Sequence, residues 1–541
     1  MFKRYKSTKG ITLVALVITI IILLILAGIS ISTLTNTGIF EKAKEAKQKS
    51  ENAQKEEDRL ISEYEKEIVK QDAEGIWDGK VNKPDLMSGM MAIKFTEPTD
   101  STEGKDEKVS DSSKNDWYNY SEKKWANSQT KDGSMWVWIP RYAYKINKSN
   151  QTFDVVFLVR TTDNYYDKDG KLQTAKRQTS ETDIPDATKD YVVHPAFTNE
   201  SNIGYANGGW KKELAGIWVA KFEAGYFDKN LVDADKEKYS SSVNYSQTYG
   251  YTSAGKNEDA RNYLDGVYGS KTTAIKYPTF QGGKYSMNYI NHNDAFNISK
   301  AIAGDSNNIY GLKSNSTDSH LIKNSEWEAV SYLGQSQYGL NGTNIRINNL
   351  TLNNSVKTIY AVTGYASKTS DDAGATSSTS DVYKWTEKGG QTASCTGTIY
   401  GIYDMSGGTW ERSAAIVNNG NGNLNTYGKA IMNALNNGKS SEYVTVYPKG
   451  ETSGQSLDDA SNSNYAVNTK IYGDAIRETS TAGLGQTSWY SDYSCFAGLY
   501  YPFFKRGGCY WDRSGAGLFY FGRDDGGSVY NNGFRSVLVA Q

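Results

Sequence analysis

The chain has 541 residues, with 60 Lys and Arg against 61 Asp and Glu and a formal net charge of -1. That balance excludes the strongly basic face of most nucleic-acid binders, so no nucleic acid is expected as a partner, and the length calls for more than one ordinary domain. Forty Tyr, 51 Gly and 12 Trp beside 8 Pro describe a turn-rich, aromatic chain of the composition that adaptable binding surfaces use. Cys395, Cys495 and Cys509, with His194, His292 and His320, show no metal-ligand spacing, so neither a metal nor another cofactor is expected.

In chain order, Lys3, Arg4, Lys6 and Lys9 form a basic leader over 1–10, and the run from Ile11 to Ile31 carries no charge. A helix of that length crosses a hydrocarbon core of roughly 30 Å, and the basic flank sets its N-terminal side in the cytoplasm. The run exceeds the ~7–15 residues of a secretory h-region. The expectation is a single-pass bacterial cell-membrane protein, with the membrane as partner through 11–31 and the C-terminal domain extracellular.

The junction Lys9-Gly10-Ile11 and the apolar run after it resemble the N-termini of type IV pilins and pseudopilins. The resemblance implies prepilin peptidase as a partner, cutting between Gly10 and Ile11, and a transmembrane pilin-like helix over 11–35. It departs at Ala15, where that family has Glu. A structural minor pilin is the alternative role, and the missing carboxylate weakens it. Residues 36–72, with opposite charges three and four apart between Glu41 and Gln71, read as a charged helical stalk.

Polar, irregular sequence over 73–133 reads as a linker. Residues 134–213 read as a small β-rich region, with strands in SMWVWIPRYAYKI from Ser134 and FDVVFLVR from Phe153. A further aromatic strand, LAGIWVAKFEAGYF from Leu214, opens the last domain.

Within 214–541 three islands stand in order: SHLIKNSEWEAVSYL from Ser319, GIYDMSGGTWER from Gly401, and RGGCYW from Arg506 leading to NNGFRSVLV. In the first, Trp327, Val330 and Leu333 recur at i, i+3, i+6 and predict a helix with one buried face, N-capped by Asn324 or Ser325. Trp327 and Trp410 read as core anchors. The islands resemble the formylglycine-generating enzyme family, also called the sulfatase-modifying-factor domain, which implies a C-type-lectin-like fold. The fold class expected for the whole chain is therefore α+β: a long N-terminal membrane and stalk helix, a β-rich connection, and a lectin-like domain with little regular structure.

Oxidase members of that family bind copper through two cysteines after the RGG motif. Asp512 and Gly517 occupy those positions, and Gly408 stands where an Asn associated with calcium would be. The resemblance therefore implies the scaffold without the chemistry, and no enzyme is expected; a formylglycine-generating-type oxidase is the remaining alternative. The order RGG, Ala516-Gly517, Phe519, Phe521 and Gly533-Phe534-Arg535 also resembles the variable region of proteins diversified by retroelements, which implies a variable binding region over 506–535. The side chains expected to contact a protein or glycan ligand outside the cell are Tyr510, Trp511, Asp512, Arg513, Tyr520, Arg523, Asp524, Asp525, Val529 and Tyr530, rich in the aromatic and forked-donor groups of binding hot spots. Phe519 and Phe521 are expected inward on a final strand with Tyr520 outward, and Gly526-Gly527 as a hairpin turn.

Overall fold

Alternating aromatic and β-branched residues make strands wherever they recur, and the computed structural model is mostly sheet with few, short helices. It describes residue 18, 47–50, 52, 53, 55 and 56, and then 81–541 apart from 111, 113–115, 181, 182, 200–208, 227–277, 289, 305–308, 354–358, 436–440, 451–462, 469–471 and 481–485. The chain divides into two compact units, Met1–Asp72 and Ala73–Gln541.

The described residues of the first unit are helical and exposed. Gly10, Ile11 and all of the expected membrane helix except Ile18 lie outside the described residues. Among the described residues no helix is long and apolar enough to cross a membrane. The α+β class led by a long N-terminal helix, and the single-pass membrane location drawn from it, are therefore corrected: sheet dominates, and the helices are short.

The second unit begins with Met90–Thr96 (β1), Lys105–Lys108 (β2) and Asn127–Thr130 (β3), followed by Met135–Pro140 (β4). The first three come from the stretch expected as an irregular linker. All four residues of β2 are exposed, so a charged edge strand reads in sequence like solvated loop. Tyr142–Asn147 (β5), Thr152–Phe157 (β6) and Val192–Val193 (β7) form a separate three-stranded sheet in the order β6-β5-β7. Then come Gly216–Ala220 (β8), helix α1 (His292–Gly304), Thr317–Leu321 (β9) and helix α2 (Asn324–Gly334).

Further strands are Trp410–Asn418 (β10), Thr445–Pro448 (β11), Gln486–Thr487 (β12), Tyr493–Ser494 (β13), Phe503–Arg506 (β14), Phe521–Asp524 (β15), Asn532–Phe534 (β16) and Ser536–Ala540 (β17). They complete two seven-stranded sheets. One runs β9-β17-β8-β4-β3-β1-β2, and the other β11-β10-β14-β15-β13-β12 with β16 also paired to β10. In the first sheet β17 lies between β8 and β9, with Val537 opposite both Val219 and His320. Trp138 and Trp218 face each other across β4 and β8 with rings 5.3 Å apart, at the centre of a fully buried aromatic core.

Helix α2 differs from its expected one-sided burial, because every residue from Asn324 to Gly334 is buried. Its glutamates are carried inside by ion pairs: Glu326 lies 3.0 Å from His320 and 3.1 Å from Lys323, and Glu328 pairs with Arg506. The N-cap is Lys323, whose backbone N–H donates to Glu326 Oε2 at 3.0 Å. Asn324, which with Ser325 was expected in that role, instead donates to the Tyr447 hydroxyl and accepts from Ser413 Oγ.

Candidate functional site

The three sequence islands meet around one framework. Trp327 of α2 donates its Nε1–H to the Leu518 carbonyl at 2.8 Å, and the Arg535 guanidinium lies 5.4 Å from its ring. Arg535 in turn grips Glu411 of β10, with Nε 2.7 Å from Oε2 and Nη2 on Oε1. Between these anchors the chain turns at Gly508, which has φ +73° and sits where a Cβ would come 2.6 Å from Ala516 Cα. The frame residues Arg506, Phe519, Phe521, Phe534 and Arg535 are all fully buried.

Beside this frame a cavity of about 460 Å3 opens on the second sheet, lined by Trp410, Tyr493, Cys495, Tyr501, Lys505, Asp512, Gly515, Tyr520, Gly522 and Arg523. Register explains its shape. Lys505 on β14 is paired with Gly522 on β15, which has no side chain, and the room is taken by the Tyr520 phenol. The Lys505 ammonium sits 3.3 Å from the centre of the Trp410 ring, a cation–π arrangement. Its side chain is only 13% exposed, and burial lowers its pKa despite the carboxylates of Asp524 and Asp512. Asp512 Oδ2 accepts from Trp410 Nε1 at 2.5 Å and from the Cys509 backbone N–H at 2.9 Å. Burial nonetheless raises its carboxyl above the ordinary value. Arg523 brings a second cation, its guanidinium 5.2 Å from the Tyr501 ring.

The ten side chains expected to contact a ligand do not share one environment. Trp511, Arg513, Asp525 and Val529 are exposed, and Asp512, Arg523 and Tyr530 are partly so. Trp511 stands edge-on to Trp410, Tyr510 and Tyr530, at 6.1, 5.1 and 5.6 Å between ring centres. Tyr510 is buried, and Tyr520, expected outward, is buried between Phe519 and Phe521 and borders the cavity.

Asp524 belongs to the frame. It accepts from Arg412 Nη1 at 2.6 Å, Gly526 N at 2.7 Å and Asn532 Nδ2 at 3.0 Å. Burial opposes its charge, but Arg412 holds its carboxyl well below the usual range. The expected Gly526-Gly527 hairpin is a turn without one, since β15 pairs with β14 while β16 runs parallel to β10.

The reading from sequence missed Lys505, Tyr493, Cys495 and Tyr501, and took Trp410 as core. The one local signal was a lysine inside the otherwise apolar strand Phe503-Phe504-Lys505. Trp410 is only partly buried, because its indole forms a wall of the cavity.

The residues present do not fit the copper site of the oxidase resemblance. Asp512 is engaged with Trp410 and Cys509, and a Cβ at Gly517 would come 2.1 Å from Asp492 Oδ1. Cys395, Cys495 and Cys509 are free and buried. At Gly408, φ is +67° and a Cβ would come 2.8 Å from Glu223 Oε1. Burial and then the neighbouring Asp404 push the Glu223 carboxyl well above its ordinary value, and it accepts from Ser286 and Thr409. Among the described residues no cluster of three or more His, Cys, Asp or Glu could hold a metal ion.

Neither the family models nor the curated proteins compared with this chain contain a match to it.

Proposed function

We propose that the second unit is a non-catalytic recognition module, binding a protein or glycan ligand through the face that carries Trp511, Arg513, Asp525 and Val529 beside the cavity. The observation that supports this reading is a division within a single stretch. Arg506, Phe519, Phe521, Phe534 and Arg535 are held in the core, while between them an aromatic group and both signs of charge stand in solvent. A rigid frame presenting Trp, Arg and Tyr suits binding, since such groups give contact area at small entropic cost.

The test is a screen of the full-length chain on glycan and protein arrays, with Trp511→Ala and Val529→Asp as paired variants. Binding lost in both variants, with unchanged circular dichroism, supports the reading. Binding retained in both places the contact on another face and ends it. The same reading extends to retroelement diversification of this face, and its check is the neighbouring DNA: a second copy of the 3′ end differing mainly at adenines, beside a reverse-transcriptase gene.

A further inference from the structure

We infer that the cavity between Trp410, Lys505 and Tyr520 holds a single carboxylate of the ligand, seated on the Lys505 ammonium with the rest of the bound group against the aromatic walls. This rests on the recognition reading and specifies its chemistry. The Lys505 ammonium belongs to the lining of this cavity. It carries three donors, and the carboxylate oxygen facing it, Asp524 Oδ2, is 4.0 Å away, beyond hydrogen-bond reach. Asp524 is also committed to Arg412 at 2.6 Å. The ring of Trp410 covers one side of the ammonium and steadies its charge.

The lining charges select the anion. Lys505 and Arg523 against Asp512 leave one net positive charge (2 − 1 = +1), which matches a carboxylate. A phosphate group carries about −1.5 to −2 at neutral pH and would be repelled by Asp512. The phenols of Tyr493 and Tyr520 can donate to the second carboxylate oxygen, and about 460 Å3 accommodates a small ring or short side chain. An acidic sugar and an acidic amino acid share this chemistry.

Titration calorimetry on the full-length chain distinguishes them. One arm compares D-glucuronate with D-glucose, and the other N-acetyl-L-glutamate with its glutamine analogue. We expect one or both carboxylates to bind at about 1 mM or tighter and their neutral partners not to. Lys505→Met keeps the apolar stem and should weaken the carboxylate about 10- to 100-fold. Asp512→Asn, which can still accept from Trp410, should tighten it and admit inorganic phosphate. The inference is overturned if neutral partners bind equally, if K505M binds as the parent does, or if no carboxylate probe binds. In each of those cases the array result with W511A and V529D still decides the recognition reading separately.

Discussion

Arg535 and Glu411, 124 residues apart in the chain, form a fully buried two-point ion pair that ties the last sequence island to the middle one. The planar guanidinium also donates to the carbonyls of Ala220 at 3.1 Å and Tyr403 at 2.9 Å, so its donors are distributed over three segments. Removing either partner leaves the other charge buried alone. Arg535→Ala and Glu411→Ala should each cost about 3–5 kcal/mol in urea unfolding. A cost below about 1 kcal/mol for both would mean that the pair does not organise the frame.

The Gly517 backbone leaves no room for a side chain against Asp492, whose Oδ2 accepts from the Phe519 N–H at 2.8 Å. Gly517→Ala should therefore destabilise by about 1–3 kcal/mol through overpacking. Chemical denaturation of this variant within about 0.5 kcal/mol of the parent would show that Asp492 moves aside, and would reopen position 517 to a thiol.

Two residues in the same C-terminal stretch should behave oppositely. Trp511 is 38% exposed, so Trp511→Ala should change stability by no more than about 0.5 kcal/mol while affecting binding. Asp524 is 7% exposed and neutralises buried Arg412, so Asp524→Ala should cost about 3–5 kcal/mol. Thermal melts of the two variants check this ordering, and a larger loss for W511A would contradict the division into frame and presented surface.

His320 is pinned between Asp318 at 2.9 Å and Glu326 at 3.0 Å. Burial alone would lower its pKa, but Glu326 and Asp318 outweigh burial and hold it above the ordinary 6.5. A raised folded pKa means that the stabilisation is complete below about pH 6.5 and is lost as pH rises through the folded value. The stability difference between the parent and His320→Gln should therefore shrink as pH is raised from 6 to about 8. A difference that is constant across that range, or that grows, would refute a charged His320.

The strands around Trp136, Trp138 and Trp218 were legible because apolar, aromatic runs bounded by Gly and Pro have few other solutions. The α2 helix was legible from the spacing of Trp327, Val330 and Leu333, although its complete burial was not. Glu326 and Glu328 look like solvent-facing residues until His320, Lys323 and Arg506 are brought beside them. Strand β2 was read as linker for the converse reason: at a sheet edge its four exposed residues need satisfy only the backbone.

The candidate site divides in the same way. Trp511, Arg513, Asp525 and Val529 could be placed at the surface from sequence because they sit among turn-forming glycines. Assigning Asp524 to the frame required knowing that Arg412 faces it, and finding Lys505 required knowing that Gly522 lies opposite.

By itself, then, the sequence determined the local order of this protein: which short runs become strands, where glycine must turn the chain, and which islands form a frame. Only the tertiary structure decided which charges are buried, that β1, β2 and β3 join the same sheet as β17, and that Trp410 and Lys505 enclose a cavity. Local preference acts over a few residues and can be read along the chain. The cost of burying a charge depends on a partner that, for Arg412 and Asp524 as for Arg535 and Glu411, lies more than a hundred residues away.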